Sequence, residues 1–302
     1  MGTALPRGTL AVVATPLGDA GDLSPRAAET LRAADVIVAE DTRSARRLLA
    51  EIGAGGKPVL SCFDANEAAR AAEVAERLAA GASVALISEA GTPLVSDPGY
   101  RIVAAAVAAG ARIVPIPGPS AVLAALVGAA LPTDRFLFLG FPPRKPGARR
   151  RLFESVRSLP YTLVLYESPL RAAATLADLA AVLGPARRAC LARELTKPHE
   201  ELVRASLSEL AARYETDRPL GEVTLVVEGA PDDAPAEELD DPEILARGAE
   251  LIASGQSTGD AARALAQLTG RPRREIYNLI SRSTPSGSSE PSEPSEPSEP
   301  KS

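Results

Sequence analysis

Residues 83–121 read SVALISEAGTPLVSDPGYRIVAAAVAAGARIVPIPGPSA, and their interpretation decides the fold. Two apolar runs, SVALIS (83–88) and RIVPIP (112–117), flank the helix-like stretch GYRIVAAAVAAG, which closes on Gly110. Continuous Val/Ile/Ala runs of this length predict strands buried on both faces, and one helix between two of them predicts a parallel crossover. After each run comes a loop dense in Gly and Pro, EAGTPLVSDPG and then PGPSA. Glycine permits close backbone approach, and proline fixes loop shape without offering a donor.

Moving outward, the same alternation covers residues 1–118. TLAVVAT (9–15), DVIVAE (35–40) and PVLSCF (58–63) are further strands, separated by SPRAAETLRAA, TRSARRLLAEIG and NEAARAAEVAERLAAG. Ser24 before Pro25 predicts a helix N-cap with proline in the first turn, and Gly81 closes its helix as Gly110 does. A second αβ pattern fills 119–230, with strands at 136–141, 161–168, 188–196 and 221–229 and a clear helix in PLRAAATLADLAAVLG. The acidic linker PDDAPAEELDD (231–241) leads to three helix-length pieces over 242–282, the last two patterned like a helix-turn-helix. The Ser-Glu-Pro repeats of 283–302 carry too little apolar surface to fold and are expected to be disordered. The fold class is α/β: two α/β domains and a small C-terminal helical module.

Composition narrows the function. Aromatics make up 3% and Trp is absent, so the core is Ala, Leu and Val. No apolar run approaches the roughly 20 residues that span a bilayer, and no secretory leader pattern opens the chain. Cys62 and Cys190 stand far apart in no metal spacing, which reads as two reduced, buried thiols of a cytoplasmic protein. The net charge of −6 is misleading, because residues 231–241 carry six acids without a base and the tail four Glu against one Lys. The remaining chain has a slight excess of base, which permits an anionic partner.

Familiar catalytic patterns are missing. The first strand is followed by ATPLGDAG and not by G-x-G-x-x-G; GAGGKP has Pro58 where a phosphate loop needs Ser or Thr. The lone His199 argues against a His-rich metal site and a Ser-His-Asp triad. Four Gly/Pro/Asp loops instead gather at the carboxyl ends of strands, where open α/β sheets bind ligands: TPLGDAG, EDTRSARR, EAGTPLVSDPG and PGPSA. Any one of them alone is as well explained as a plain turn.

VVATPLGDAGDLSPRAAETLRAADVIVAEDTRSARRLL, SEAGTPLVSDPGYRIV, PIPGPSA, LGFPPRK, YESPLR and GEVTLVVEG together resemble the tetrapyrrole methylase superfamily, and within it the branch that methylates ribosomal RNA. Porphyrinoid-acting relatives tend to carry Gly-Asp-Pro where this chain has Gly91-Thr92-Pro93, and they lack the helical end module. The resemblance implies two lobes with S-adenosylmethionine in the cleft between them, a homodimer, and 2′-O-methylation of a cytidine ribose in the 16S RNA of the small subunit. It also implies the cofactor contacts: Pro16, Ala90, Gly91, Thr92, Val95, Ser96, Ser120 and Ala121 from the first lobe, with Tyr166, Glu167, Leu195 and Glu222 from the second. In this reading Gly91 lets the backbone approach the cofactor, while Thr92 and Ser96 hydrogen-bond its zwitterionic end.

A weakly nucleophilic ribose hydroxyl calls for a proton acceptor. Asp41, Glu89, Asp97, Glu167, Glu194 and Lys197 are candidates on cleft-facing loops. Asp41 is the choice, with Arg43 positioning a phosphate; the alternative is that EDTR merely caps a helix. His199, between Pro198 and Glu200, reads as a solvated loop residue. For RNA, the basic run Arg144, Lys145, Arg149, Arg150 and Arg151 suits phosphate neutralisation. Arg271, Arg273, Arg274 and Arg282, with Tyr277 for stacking, form a second patch. The alternative for the first patch is an ordinary solvated face, and for the second a capping or dimer-stabilising bundle.

Overall fold

The computed structural model describes residues 5–231 and 239–283. These fall into two compact units, divided at Pro231. Most of the acidic linker and nearly all of the Ser-Glu-Pro tail lie outside the described residues.

The first unit holds two five-stranded sheets. Strands β1 (Thr9–Val13), β2 (Val36–Ala39), β3 (Val59–Ser61), β4 (Val84–Ile87) and β5 (Arg112–Ile116) form the first, in the order β3-β2-β4-β1-β5, all parallel. Every residue of β2 and β4 is buried, which is why their sequences run apolar without alternation. Helices α1 (Pro25–Ala33), α2 (Thr42–Glu51), α3 (Glu67–Ala79) and α4 (Tyr100–Ala108) make the crossovers. Ser24 caps α1, its hydroxyl accepting from Ala27 N–H at 3.1 Å, with Pro25 in the first turn.

The strand order decides which loops meet. After β3 the chain returns to insert β4 between β2 and β1, then crosses β1 to place β5 on its far side. The loops leaving β1, β4 and β5 therefore emerge side by side, and the loop leaving β2 lies across β4 from β1. Topology thus collects four of the Gly/Pro/Asp loops at one edge.

The second sheet comprises β6 (Phe136–Phe138), β7 (Thr162–Glu167), β8 (Arg188–Arg193), β9 (Glu201–Ser206) and β10 (Val223–Val227), ordered β6-β7-β10-β8-β9. Only β6 and β7 run parallel; β10 is antiparallel to both its neighbours, and β9 to β8. Side chains alternate between two cores. Leu163, Leu165, Leu191 and Leu225 pack with α6 (Pro146–Ser155), α7 (Ala172–Leu183) and α8 (Leu207–Thr216). Val164, Cys190, Ala192 and Val226 pack against α5 (Ala121–Gly128). Both cysteines are buried, and burial pushes the Cys62 thiol up to about 11. Strand β9 is absent from the sequence reading: it is a half-buried edge strand, ELVRAS, without the long apolar run that marks the others.

The second unit is a three-helix cluster of α9 (Asp241–Ala253), α10 (Thr258–Thr269) and α11 (Arg273–Ser283), packed on Ile244, Ala262, Leu265, Ile276 and Ile280. Its first helix begins inside the acidic segment. Asp240 is the N-cap and forms a capping box with Glu243, so these carboxylates serve the helix start as well as the linker.

Candidate functional site

The loop after β4 is pinned from both sides. Thr15 N–H donates to the Gly91 carbonyl at 2.9 Å, and Gly91 N–H returns a bond to Thr15 O at 3.0 Å. The Thr92 hydroxyl donates to Pro119 O at 2.9 Å, tying the same loop to the one after β5. Gly91 has φ +82°, and a Cβ there would lie 3.1 Å from Leu17 Cδ2, so its requirement is conformational. Leu94 and Ser96 also sit in the left-handed region (φ 72° and 68°) without being glycine. Glu194 and Thr196 do the same (φ 51° and 61°) in the loop after β8. Strained backbone thus marks one loop from each sheet.

These loops meet. Asp19 N–H donates to Thr196 Oγ1 at 3.1 Å, and a Cβ on Gly18 would come within 2.2 Å of Lys197 Cγ, so only glycine fits there. Between the sheets lies a cavity of about 360 Å³, lined by the loop after β4, the start of α5 and the ends of β7 and β10. Its apolar wall includes Leu17, Val95, Ala121, Phe141 and Tyr166. Phe138 and Phe141 pack against the Tyr166 ring at centroid distances of 5.0 and 5.4 Å. Its other wall is acidic, with Glu40, Glu89 and Asp97. Burial, reinforced by Glu40 and Glu89, pushes the Asp97 carboxyl up to about 6. Glu40 is raised for the same reasons, burial first and then Glu89. The Tyr166 phenol is driven up to about 12 by burial and the Asp97 charge.

The family model described as Tetrapyrrole (Corrin/Porphyrin) Methylases matches residues 9–211. The chain belongs to the tetrapyrrole methylase family. It is 44% identical over 272 residues to ribosomal RNA small subunit methyltransferase I of Xylella fastidiosa (strain Temecula1), covering 89% of this chain and 98% of that one. It is 45% identical over 289 residues to the protein of the same name from Mycobacterium tuberculosis (strain H37Rv), covering 94% and 99%. Among solved structures, a diphthine synthase aligns with TM-score 0.56 at 20% identity, over 90% of this chain and 100% of the other. Uroporphyrin-III C-methyltransferase from Thermus thermophilus, complexed with S-adenyl homocysteine, aligns with TM-score 0.53 at 19% identity, over 72% and 96%. At such identities the structural likeness speaks for the fold.

The donor set of this tetrapyrrole methylase fits S-adenosylmethionine. An apolar slot with aromatic rings suits a purine, hydroxyls suit a ribose or amino-acid end, and three carboxylates suit the positive charges. Of the expected contacts, Ala90, Thr92, Val95, Ser96, Ser120, Ala121, Tyr166, Glu167 and Glu222 line the cavity. Pro16 lines a second cavity that abuts it. Gly91 is buried in the loop and does not line the cavity, and Leu195 is buried in the core that packs against α5.

Several of the expected residues are engaged elsewhere in this methylase. The Glu167 carboxylate is engaged internally: it pairs with Arg171 at 2.5 Å and accepts from Ser168 N–H at 2.7 Å and the Thr175 hydroxyl at 2.6 Å. It holds β7 to α7. Asp41 caps α2, accepting from Arg43 N–H at 2.6 Å and Ser44 N–H at 3.4 Å, and lines neither cavity. Its neighbour Glu40 faces the site instead. The signal was in EDTR itself, since Asp before Thr at a helix start is a preferred cap, leaving Glu for the pocket. Lys197 is held as an ammonium: although burial alone would lower it, bonds of 3.0 Å to Glu194 and to Glu222 raise it. His199 is exposed.

The basic run divides. Arg149 is 4% exposed, its guanidinium spent on Asp178 (Nε 2.8 Å, Nη2 2.5 Å), so it joins α6 to α7 and is withdrawn from nucleic acid. Arg150 shares Asp178 at 2.6 Å but remains largely open to solvent. Arg144, Lys145 and Arg151 are exposed. In the helical unit, Arg271 is occupied by Asp241 (2.7 Å) and Glu275 (2.5 Å), whereas Arg273, Arg274, Tyr277 and Arg282 are exposed.

Proposed function

We propose that this chain is an S-adenosylmethionine-dependent methyltransferase that 2′-O-methylates a cytidine ribose in the 16S RNA of the small ribosomal subunit. The observation carrying this reading is the likeness to the named ribosomal RNA methyltransferases over 98–99% of their length, helical unit included. The acid-and-aromatic cavity supports it, as does the exposed base on α6 and α11.

S-Adenosylmethionine supplies an activated methyl group: the carbon–oxygen bond forms as the carbon–sulfur bond breaks, sulfur keeps the electron pair as a neutral thioether, and the hydroxyl proton leaves to a base. The protein's residues align, desolvate and accept that proton. Val95, Ala121 and Tyr166 shape the apolar slot, Ala90 and Thr92 bring main chain to it, and Ser96 and Ser120 offer hydroxyls. Glu222 closes the second-lobe side. Phosphates engage Arg144, Lys145 and Arg151 on one unit and Arg273, Arg274 and Arg282 on the other. We place the enzyme in the cytoplasm; no helix among the described residues is long and apolar enough to cross a membrane. A homodimer is supported by large apolar side chains left in solvent on α4 and α5: Tyr100 (74% exposed), Val107 (60%), Leu123 (51%) and Val127 (75%).

The test is methyl transfer from labelled S-adenosylmethionine to 30S subunits and to naked 16S RNA, with the product mapped by mass and alkali resistance. One alkali-resistant cytidine linkage is expected. Incorporation into a base, or none into either substrate, refutes the reading.

A further inference from the structure

A second cavity, of about 570 Å³, lies between the loop after β1, helix α2 and the loop after β8. It has the volume of an ordinary small-molecule site, and of the expected cofactor contacts only Pro16, Ala90 and Glu222 line it. Four residues, Leu17, Glu89, Ala90 and Glu222, line both cavities, so the two chambers meet at a common wall. Group transfer demands such contact: an acceptor must reach the donor's reacting carbon without crossing protein.

The second chamber is acidic like the first, with Glu51, Glu89, Glu194 and Glu222 in its lining, but unlike the first it also carries bases, Arg47 and Lys197. Pro16, Leu48 and Pro198 give it apolar surface, and α2 supplies Arg47 at its rim. Arg43 stands one helical turn before Arg47, on the same side of α2, and both are exposed. Neither has a carboxylate partner among the described residues. A pair of uncommitted guanidiniums beside an apolar recess is what a nucleotide's phosphates and base require.

The carboxylates at the wall are equally unequal. Glu222 is bound by Lys197 at 3.0 Å. Glu89 is exposed and, among the described residues, accepts from no donor. It is the wall's uncommitted proton acceptor.

Resting on the methyltransferase reading, we propose that the second chamber takes the acceptor nucleotide, with its ribose at the common wall beside Glu89 and its phosphate on Arg47. The hydroxyl proton released as the methyl arrives passes to the Glu89 carboxylate, which balances the charge lost by the sulfonium.

Three full-length variants test this: Arg47→Ala, Ser44→Phe (bulk placed in the chamber from α2) and Glu89→Gln. S-Adenosylmethionine affinity by calorimetry reports folding and the first chamber, and should stay within twofold for Arg47→Ala and Ser44→Phe. Filter binding to 16S RNA should weaken about tenfold for Arg47→Ala, with the salt slope shallower by roughly one. Ser44→Phe should raise KM for 30S subunits. Glu89→Gln should keep RNA affinity but lose about 10²- to 10⁴-fold in kcat. Wild-type RNA affinity, salt slope and KM in both Arg47→Ala and Ser44→Phe, while the wild-type chain methylates RNA, would overturn the assignment and leave the function standing. An unchanged kcat in Glu89→Gln would remove the carboxylate from its role. If the wild-type chain transfers no methyl to RNA, the function itself has failed and the chamber's assignment falls with it.

Discussion

Asp97 shows how one side chain couples stability to ligand binding. Its carboxyl is pushed up to about 6 by burial and by Glu40 and Glu89, above the ordinary 3.8. Folding therefore favours the protonated form, and the cost of ionising it in place grows as pH rises from the unfolded value through 6. Asp97→Asn should raise the melting temperature at pH 8, and the gain should vanish toward pH 4, as calorimetry at the two pH values will show. A cationic ligand reverses the preference. S-Adenosylmethionine affinity should fall as pH drops through about 6, and Asp97→Asn should flatten that step. This carboxylate was among the candidates visible in the sequence, but its raised value depends on Glu40, which approaches it only through the fold. Asp41 and Glu40 teach the same lesson at closer range, since adjacent acids take opposite duties according to which one the helix needs as its cap.

Among the elements, α6 carries the clearest correction. Its run of bases reads as a solvated cationic face, yet the helix must bury a stripe, and that stripe includes Phe153 and Arg149. Arg149 meets Asp178 of α7 with both side chains about 5% exposed. Removing Arg149 leaves the buried Asp178 with Arg150 alone, so the cost falls at or just below the low end of the about 3–5 kcal/mol for a wholly stranded buried charge. Denaturant unfolding should show that loss for Arg149→Ala and a change within about 0.5 kcal/mol for the exposed Arg151→Ala. RNA affinity should respond in the opposite order, with Arg151→Ala weakening it. The strands were legible wherever both faces are buried, as in β2 and β4, because burial writes itself as a continuous apolar run. Edge strand β9 has no such run, and the sequence stretch 188–196 was read three residues past Arg193, into a loop whose positive φ angles at Glu194 and Thr196 leave no compositional trace.

For the whole molecule, the two-sheet plan and the loop edge that carries the cavity could be read from chain order, since strands separated by single helices admit few arrangements. What could not be read was where loops from the two sheets touch, because Gly18 against Lys197 and Asp19 against Thr196 join residues nearly 180 positions apart. Assembly belongs to this scale too. Replacing Val127, 75% exposed on α5, with Glu places a charge in the apolar surface proposed for the dimer. Light scattering after gel filtration should show Val127→Glu as a monomer beside a dimeric parent; two dimers, or two monomers, would refute that surface.

The acidic wall of Glu40, Glu89 and Asp97 has a bearing on turnover. Three carboxylates crowded at one edge repel one another until a positive ligand settles among them. Once the methyl has gone, the sulfur is neutral, and the repulsion returns as Glu89 gives up the proton it took from the ribose. The same feature that draws the spent molecule's precursor in would then hasten its exit, so that discharge of the by-product needs no separate moving part.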